Sequence, residues 1–457
     1  MRLFSVIALA LVVSLCGVVY AELQNVEIGG NLRIRGNYYD MGDEFSAGGG
    51  WDFTGNAVAP AVGGGGHGWI EQRTRLNVKA DFTQEISTFI ELDSYDTWGE
   101  DFRSMYICGN DMRGSDNVDL YQAYIEARNL WGSPVTARVG RQEIALGNQF
   151  LVGVNDANQM FTGLSFDALR LTFANDVVSI DAIAAKLAET YADFGDNDVD
   201  FYALYGSYIG WEDVTLDAYW MFVRDDQGLL ADFIDGDEVD LHTFGLRGAG
   251  VIGGFDFELE AAYQIGNVDA VPSACPLGFG EADVEYDSFA INAEAGYTFD
   301  MSWQPRVFAR FAYLGGGEED DSCWSNDRTL PFNRLFSNVR YSQFLDGFTT
   351  LRGATSNMLY YSLGAQALIT ESIELKLIGS FFQAEQEGAG DKDLGWEVGL
   401  FGDYNYSEDL TIRAGYAHFF GEESMAVANI GGNGLMPFTG LGDEDYDYLY
   451  LETEIGF

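Results

Sequence analysis

The chain has 457 residues and carries 72 acidic against 24 basic side chains, which gives a formal net charge of -48. No basic patch can offset this acidity, so the composition excludes a nucleic-acid-binding function. Aromatic residues make up 15% of the chain, with 56 glycines and only 7 prolines. This mixture is typical of many strands joined by tight turns and glycine-rich loops.

The first predicted element is a signal peptide over residues 1–21. A basic residue, Arg2, precedes an apolar run, and small residues lead to a cleavage site after Ala21. A membrane anchor is the competing interpretation, but the run is short and has no basic stop-transfer flank. Beyond it, no stretch reaches the roughly 18–20 consecutive apolar residues of a membrane helix. Residues 22–457 are therefore expected to form one mature domain.

Cleavage at this site leaves three cysteines, Cys108, Cys275 and Cys323. An odd number cannot pair completely within one chain, and the spacings match no zinc pattern. Cys275 and Cys323 both lie in polar loop segments. The sequence leaves open whether they form a disulfide.

From residue 24 onward, the chain consists of segments in which apolar and polar side chains alternate. Links between segments are alternately short, such as "ND" and "GG", and long, such as residues 316–357. Eighteen segments are predicted, over residues 26–38, 69–82, 86–97, 118–130, 135–143, 164–175, 177–188, 199–211, 214–225, 239–251, 255–267, 284–299, 303–315, 358–370, 372–386, 394–406, 409–420 and 446–457.

Short turns at one end and long loops at the other are typical of an outer-membrane β-barrel, whose strands need about 9–11 residues to cross the bilayer. We therefore predict an all-β fold, a transmembrane antiparallel β-barrel of eighteen strands with short periplasmic turns and long extracellular loops. Its location would be the outer membrane of a Gram-negative-type cell. A sixteen-stranded barrel is one alternative, and a soluble β-sandwich, β-helix or β-propeller is another.

The last segment, "YLYLETEIGF", places apolar side chains on one face and ends on an aromatic residue. Leu449, Leu451, Ile455 and Phe457 resemble the terminal strand by which the barrel-assembly machinery recognises outer-membrane barrels. The outside of such a barrel would contact outer-membrane lipid and lipopolysaccharide.

The segment "IEQRTRLNVKADF" puts Arg73, Arg75 and Lys79 on one face and Leu76 and Val78 on the other. In a barrel the polar face looks into the lumen. Basic residues on this face are therefore predicted to line the pore. Besides the three above, they are Arg33, Arg35, Arg128, Arg138, Arg170, Arg306, Arg310, Lys376 and Arg413.

Acidic residues share the inner face, and two interpretations stay open. Because the last strand closes against the first, Glu452 and Glu454 could pair with Arg33 and Arg35 as ordinary cross-strand pairs. Alternatively, arginines held by acids still offer donors to a passing anion. Most of the surplus acid falls in the outer loops, where it would repel anions or bind divalent cations and basic partners.

No catalytic or metal-binding motif is present in the sequence. The chain has no G-x-S-x-G, H-E-x-x-H or phosphate-binding loop, and His67, His242 and His418 are far apart. Acidic stretches at residues 193–200 and 235–240 lack the glycine and the final glutamate of a calcium loop. We expect neither an enzyme nor a resident cofactor or metal.

The stretch "VTARVGRQEIALGNQFLVGVNDANQMFTGLSFDALRLTF", residues 135–173, is the most distinctive in the chain. With the upstream strand "EQRTRLNVKADF", it resembles the alginate-export family of outer-membrane barrels. The resemblance implies an arginine-lined conduit for an anionic polysaccharide and a loop, Glu143 to Gly163, that shapes the pore mouth or folds inward. The arginines to which it assigns the conduit are Arg73, Arg75, Arg141 and Arg170. The chain departs from the family in lacking a long periplasmic turn.

Three functions are compatible with these features. The first is a channel for passive or facilitated passage of small hydrophilic solutes, anionic or sugar-like, through an arginine-lined lumen; an anionic polysaccharide belongs to this class. The second is a general diffusion porin with a mild cation preference. The third is a scaffold barrel with a closed lumen, whose acidic loops bind a partner.

Overall fold

A computed structural model describes eleven ranges of the chain: residues 23–40, 66–99, 118–156, 161–189, 198–228, 238–272, 281–318, 328–345, 355–386, 392–422 and 445–457. For residues 270–272 and 281–283 the backbone alone is described. The predicted signal peptide, the cysteines Cys108, Cys275 and Cys323, and most of the acidic outer-loop residues lie outside these ranges. No helix within them is long and apolar enough to cross a membrane.

Strands dominate the described residues, which also contain one 3₁₀ turn, Leu130–Gly132. The strands are β1 (Asn25–Asp40), β2 (Gly66–Asp81), β3 (Ile86–Thr97), β4 (Val118–Ala127), β5 (Val135–Gln142), β6 (Phe166–Ala174), β7 (Val178–Ala188), β8 (Val199–Tyr208), β9 (Val214–Asp225), β10 (Val239–Ile252), β11 (Phe255–Pro272), β12 (Glu281–Thr298), β13 (Arg306–Leu314), β14 (Arg328–Leu330), β15 (Met358–Thr370), β16 (Ile373–Ala384), β17 (Asp393–Asn405), β18 (Leu410–Gly421) and β19 (Tyr446–Gly456).

Eighteen of these strands close into one antiparallel barrel. Each predicted segment corresponds to one barrel strand, so the eighteen-stranded prediction is confirmed and the sixteen-stranded alternative is wrong. The sequence missed β14, three residues that pair in parallel with β12 while β13 pairs directly with β15. A segment of three residues is too short to show the two-residue period of a strand.

The barrel closes because β19 pairs with β1, which leaves no unpaired edge for the hydrocarbon to face. Backbone bonds join Gly30 and Phe457 in both directions, at 2.9 and 3.0 Å. A Cβ atom on Gly30 would lie 2.5 Å from Cζ of the Phe457 ring. Only glycine leaves room for the terminal ring at this point of the seam.

Alternation sorts side chains between the two faces of the wall, as β2 illustrates. Leu76 and Val78 are exposed on the outside, whereas Arg73 and Arg75 are buried inside. On β19, Leu449 and Leu451 are likewise exposed outward, while Glu452 points inward and is fully buried. The wall therefore presents apolar side chains outward and charged side chains inward, as a membrane-spanning barrel requires.

The described parts of two long connections fold into the barrel and pack on each other. We call residues 143–156 and 161–165 the first inward loop, and residues 315–318, 328–345 and 355–357 the second inward loop. They meet in a parallel bridge between Val152 and Phe336, with a bond from Phe336 N to the Leu151 carbonyl at 2.8 Å. The Phe336 ring packs edge-on against Phe166 and Phe201 of the wall, at 5.1 and 5.3 Å between centroids. The apolar core of this molecule thus lies inside the barrel.

Candidate functional site

Four arginines of β1 and β2 form the centre of the inner wall, and we call Arg33, Arg35, Arg73 and Arg75 the arginine cluster. The strand register places Arg33 directly opposite Arg73. All four side chains are buried. Like charges opposite each other on a sheet repel, so the cluster needs compensating acids close by.

The first inward loop supplies one of those acids. The Asp156 carboxylate lies 3.2 Å from Arg33 Nη1 and 3.1 Å from Arg75 Nη1. Arg73 Nη1 also donates a hydrogen bond to it. One carboxylate of the loop is therefore shared by three guanidinium groups from two strands.

Aromatic rings add to the contact between loop and cluster. The centre of the Phe161 ring lies 4.8 Å from the guanidinium carbon of Arg33 and 5.7 Å from that of Arg73. The backbone carbonyl of Phe161 accepts a hydrogen bond from Arg73 Nη1 at 3.0 Å. Arg75 lies over the Tyr121 ring, with its guanidinium carbon 3.8 Å from the centroid. These contacts place cationic planes against aromatic faces, an arrangement that stabilises desolvated arginines.

A glycine permits the close approach of the first inward loop to the wall. Gly163 adopts φ +80°, and a Cβ atom there would lie 2.2 Å from Arg75 Nη2. Any other residue would carry backbone strain and would collide with the guanidinium group. The loop beside it lines a cavity of about 730 Å³ together with Asp93, Tyr121 and Phe336.

The barrel seam supplies the second compensating acid. Glu452 Oε2 lies 2.5 Å from Arg35 Nη2 and 2.9 Å from Arg33 Nε. Its other oxygen lies 2.8 Å from Arg413 Nη1. The sequence left open whether Arg33 and Arg35 pair with Glu452 and Glu454. In the structure both arginines contact Glu452, whereas Glu454 pairs with Arg413.

Further carboxylates surround Arg75. Its Nε lies 3.1 Å from Asp93 and 3.6 Å from Glu91 of β3, and its Nη1 lies 3.6 Å from Glu143 of the first inward loop. Counting Asp156 and Glu452, five carboxylates contact four arginines. The cluster is therefore an ion-pair network and not an uncompensated positive wall.

Other predicted cations are distributed along the wall, and each of them pairs with an acidic residue. Arg128 and Arg138 share Glu126, at 2.7 and 2.6 Å, and Arg170 binds both carboxylate oxygens of Asp181. None of these three basic residues contacts the arginine cluster among the described interactions.

Lys79 and Arg141 lie apart from this arrangement. Lys79 is partly exposed at the short-turn end of β2, with Glu27 and Asp81 at 3.7 and 3.8 Å. Arg141 donates to both carboxylate oxygens of exposed Asp167 at 2.8 Å. Since Arg138 and Arg141 are three residues apart on one strand, their side chains leave opposite faces of the sheet.

A second basic group surrounds the Phe308 ring on β13. Arg306, Arg310 and Lys376 lie 4.8, 5.2 and 5.6 Å from its centroid, and we call these four residues the Phe308 platform. Glu294 binds both arginines, at 2.7 and 2.6 Å. Lys376 forms no ion pair with any residue that the structure describes.

The second inward loop is held by a wall carboxylate that the sequence analysis did not single out. Glu397 of β17 accepts bonds from Ser342 Oγ at 2.6 Å and from the backbone N of Gln343 and Phe344 at 3.0 and 3.3 Å. Asp156 and Phe161 were also missed. Nothing in the local pattern marks these residues, because their partners are more than fifty positions away in the chain.

On the opposite side of the lumen, acidic residues predominate on the inner face of β9 to β11. Arg247 pairs with Asp217 and Glu258, both at 2.6 Å, and the Tyr219 hydroxyl donates to Glu260 at 2.7 Å. One guanidinium group thus faces three carboxylates here. The inner surface carries charge of both signs on different strands.

A family model described as alginate export matches residues 27–426 of the chain. The chain belongs to the alginate export family. As a member of this family of outer-membrane barrels, it is a porin-type membrane protein, in agreement with its closed wall and apolar outer face. The family was indicated in the sequence by residues 70–173, and the match extends it over nearly the whole barrel.

Solved structures with the same fold include three proteins of Pseudomonas aeruginosa. OccK8 (OprE) is 14% identical with a TM-score of 0.56, over 95% of this chain and 98% of that one. OpdO is 13% identical with a TM-score of 0.58, over 96% and 98%. The outer membrane protein OpdK is 12% identical with a TM-score of 0.53, over 94% and 98%. At these identities the likeness shows the fold alone. A comparison with curated proteins found no match.

Proposed function

We propose that this family member is an outer-membrane channel for small hydrophilic solutes that carry anionic or sugar-like groups. The observation that carries the proposal is the arginine cluster, in which guanidinium planes and aromatic faces lie side by side within a closed barrel. Guanidinium groups bind carboxylates through paired donors, and aromatic faces offer apolar contact to sugar rings. The proposed conduit consists of Arg33, Arg35, Arg73, Arg75, Lys79, Arg128, Arg138, Arg170, Arg306 and Arg310. Arg141 was predicted with them but is left out of the proposal, because its side chain leaves the face of β5 opposite to that of Arg138.

The Phe308 platform supports the same proposal at a lower level of the barrel. Lys376 lies three residues from the short-turn end of β16, and a charged group without an ionic partner is costly away from bulk water. An anionic group on a passing solute would supply that partner. The arginine cluster and the Phe308 platform would then be two successive binding positions for the anionic group of the solute.

The inward loops favour small solutes over a polymer. The bridge between Val152 and Phe336 joins the two loops across the interior, and buried apolar side chains pack around it. An anionic polysaccharide, the cargo that the family description suggests, would pass only if both loops left the lumen.

We also propose the surroundings in which the channel works. Outer-membrane lipid and lipopolysaccharide would contact the apolar outer face, and the barrel-assembly machinery would recognise β19 through Leu449, Leu451, Ile455 and Phe457. The acidic outer loops would attract divalent cations, because they carry most of the excess negative charge.

A planar-bilayer experiment with purified protein tests the channel. In a salt gradient, the reversal potential reports whether anions or cations pass preferentially. We expect a preference for anions that is lost in Arg73→Ala combined with Arg75→Ala, since these changes remove two of the guanidinium groups that attract the anion. Arg224→Ala is the matched control, because Arg224 is exposed and pairs with Asp226 at the rim.

Two other results would select the competing functions. Cation preference in the wild-type protein would indicate a general diffusion porin, which the five carboxylates around the arginine cluster favour. Absence of conductance under all conditions would indicate a scaffold barrel whose loops bind a partner.

A further inference from the structure

The Asp156 carboxylate occupies the position that an anionic solute would need in the arginine cluster. It receives donors from Arg33, Arg73 and Arg75, and it belongs to a loop and not to the wall. The arginines themselves are buried, but a quarter of the Asp156 side chain is exposed. Water, and any solute in it, can therefore reach the carboxylate without first displacing the arginines.

From this geometry we infer that Asp156 is an internal competitor, a residue that sets the affinity of the channel for carboxylate-bearing solutes by occupying their site. The inference rests on the proposed function. A solute carboxylate would replace the Asp156 carboxylate on Arg33, Arg73 and Arg75, so that the charge balance of the cluster is the same before and after exchange. No other group has to change its protonation.

The remaining arginine contacts explain why the exchange leaves the wall intact. Arg33 and Arg35 keep Glu452 at 2.9 and 2.5 Å, and Arg75 keeps Asp93 at 3.1 Å. These acids belong to barrel strands, whose backbone pairing fixes them. Two of the five acids lie outside the barrel strands, Asp156 and Glu143. Glu143 is the more distant of the two, at 3.6 Å from Arg75.

The fold of the first inward loop also has contacts that do not involve Asp156, two backbone bonds within the loop and one ring contact to the second inward loop. Leu164 N donates to the Val154 carbonyl at 2.7 Å, and Leu146 N donates to the Val152 carbonyl at 3.0 Å. Phe150 stacks on Phe332 of the second inward loop, with centroids 6.3 Å apart. Removing the Asp156 charge should therefore free the anion site and leave the loop fold in place.

Calorimetric titration of the detergent-solubilised protein with glucuronate, a sugar acid with one carboxylate, tests the inference. When a site is occupied by its own ligand about nine-tenths of the time, the apparent dissociation constant is raised about tenfold. We expect Asp156→Asn, which keeps the side-chain shape, to bind glucuronate at least about tenfold more tightly than the wild type. Neutral glucose should bind both proteins alike.

Asp217→Asn is the matched control, because Asp217 is a buried lumen acid that pairs with Arg247 at 2.6 Å, and Arg247 is not part of the proposed conduit. It removes the same charge from the interior without touching the arginine cluster. Equal tightening in Asp217→Asn and Asp156→Asn would reduce the effect to general lumen charge and overturn the inference. Unchanged affinity in Asp156→Asn would overturn it as well.

A third variant separates this inference from the proposed function. Asp156→Asn combined with Arg73→Ala should lose the gained affinity, since the freed site then lacks one of its donors. If the wild type is an anion channel that depends on Arg73 and Arg75 but Asp156→Asn binds glucuronate no better, only the competitor role fails. If no variant binds glucuronate and the wild type shows no anion preference, the proposed function fails too. Heat-modifiable mobility on gels verifies that each variant is a folded barrel.

Discussion

At the scale of single residues, the carboxylate of Glu452 at the seam combines complete burial with three ionic contacts. It is fully buried and contacts Arg33 and Arg35 of β1 and Arg413 of β18. β19 lies between these two strands, so one carboxylate links three strands at the point where the barrel closes. Its charge is held by three guanidinium groups, and each of them loses a partner if the charge is removed.

Glu452→Gln should destabilise the barrel. The variant leaves buried guanidinium groups with a neutral amide, and breaking a buried ion pair by removing one partner costs about 3–5 kcal/mol. Urea unfolding in detergent, followed by tryptophan fluorescence, measures the loss in the free energy of unfolding. Asp167→Asn removes the partner of exposed Arg141 and should cost about 1 kcal/mol or less. Equal losses in the two variants would show that Glu452 has no special role at the seam.

At the scale of elements, strands and inward loops depend on different interactions. A barrel strand is fixed by backbone pairing with two neighbours, which alternation in its own sequence already supports. The second inward loop has instead a few side-chain anchors, among them Glu397 of β17 and Gln264 of β11, which bonds to the backbone of Asn333 in both directions at 2.7 Å. A loop held in this way is open to release by one substitution.

Glu397→Gln should loosen the second inward loop. The amide keeps one acceptor oxygen for the bonds from Ser342, Gln343 and Phe344 but has no negative charge. Hydrogen bonds to a charged group are about twice as strong as hydrogen bonds between neutral groups. Single-channel recording should show larger conductance or more frequent openings.

Asp403→Asn provides the control for this change. Asp403 lies on the same strand and on the same face as Glu397, and it pairs with Arg413 at 3.8 Å, not with the loop. Conductance that rises equally in both variants would attribute the change to wall charge. Unaltered conductance in Glu397→Gln would show that the anchor does not hold the loop.

At the scale of the whole molecule, the membrane requires that the barrel be closed. Backbone groups in hydrocarbon need partners within the protein, so the first and last strands must pair. The chain satisfies this with the register Leu32 opposite Ile455 and Arg35 opposite Glu452. Phe457, at the end of the seam, joins the backbone of Gly30 and packs its ring there.

Phe457→Ala should reduce the amount of assembled barrel. The change removes the terminal ring from the seam and from the segment that we propose the assembly machinery recognises. Heat-modifiable mobility in outer-membrane fractions measures the folded share, which should fall relative to the wild type. Phe255→Ala is the control, because Phe255 is also an exposed aromatic residue at the short-turn end of its strand. A similar yield for both variants would argue against a specific role of the terminus.

The sequence by itself determined the wall of this protein. A two-residue period assigns each side chain to a face, and short turns assign neighbours, so eighteen strands and the inward arginines of β1 and β2 could be predicted. Closure also brought Glu452 and Glu454 beside Arg33 and Arg35, although which of them pair stayed open. These features depend on local pattern and on the single condition that the sheet closes.

Only the tertiary structure decided what occupies the interior. Asp156 meets arginines that lie 81 to 123 positions away, and Glu397 meets a loop more than fifty positions away. No period in the chain encodes such contacts, because a loop can fold inward or outward with the same local sequence and its side chains find partners only after the wall has formed. The sequence therefore predicted the arginines, whereas the fold revealed that a carboxylate of the same chain already binds them.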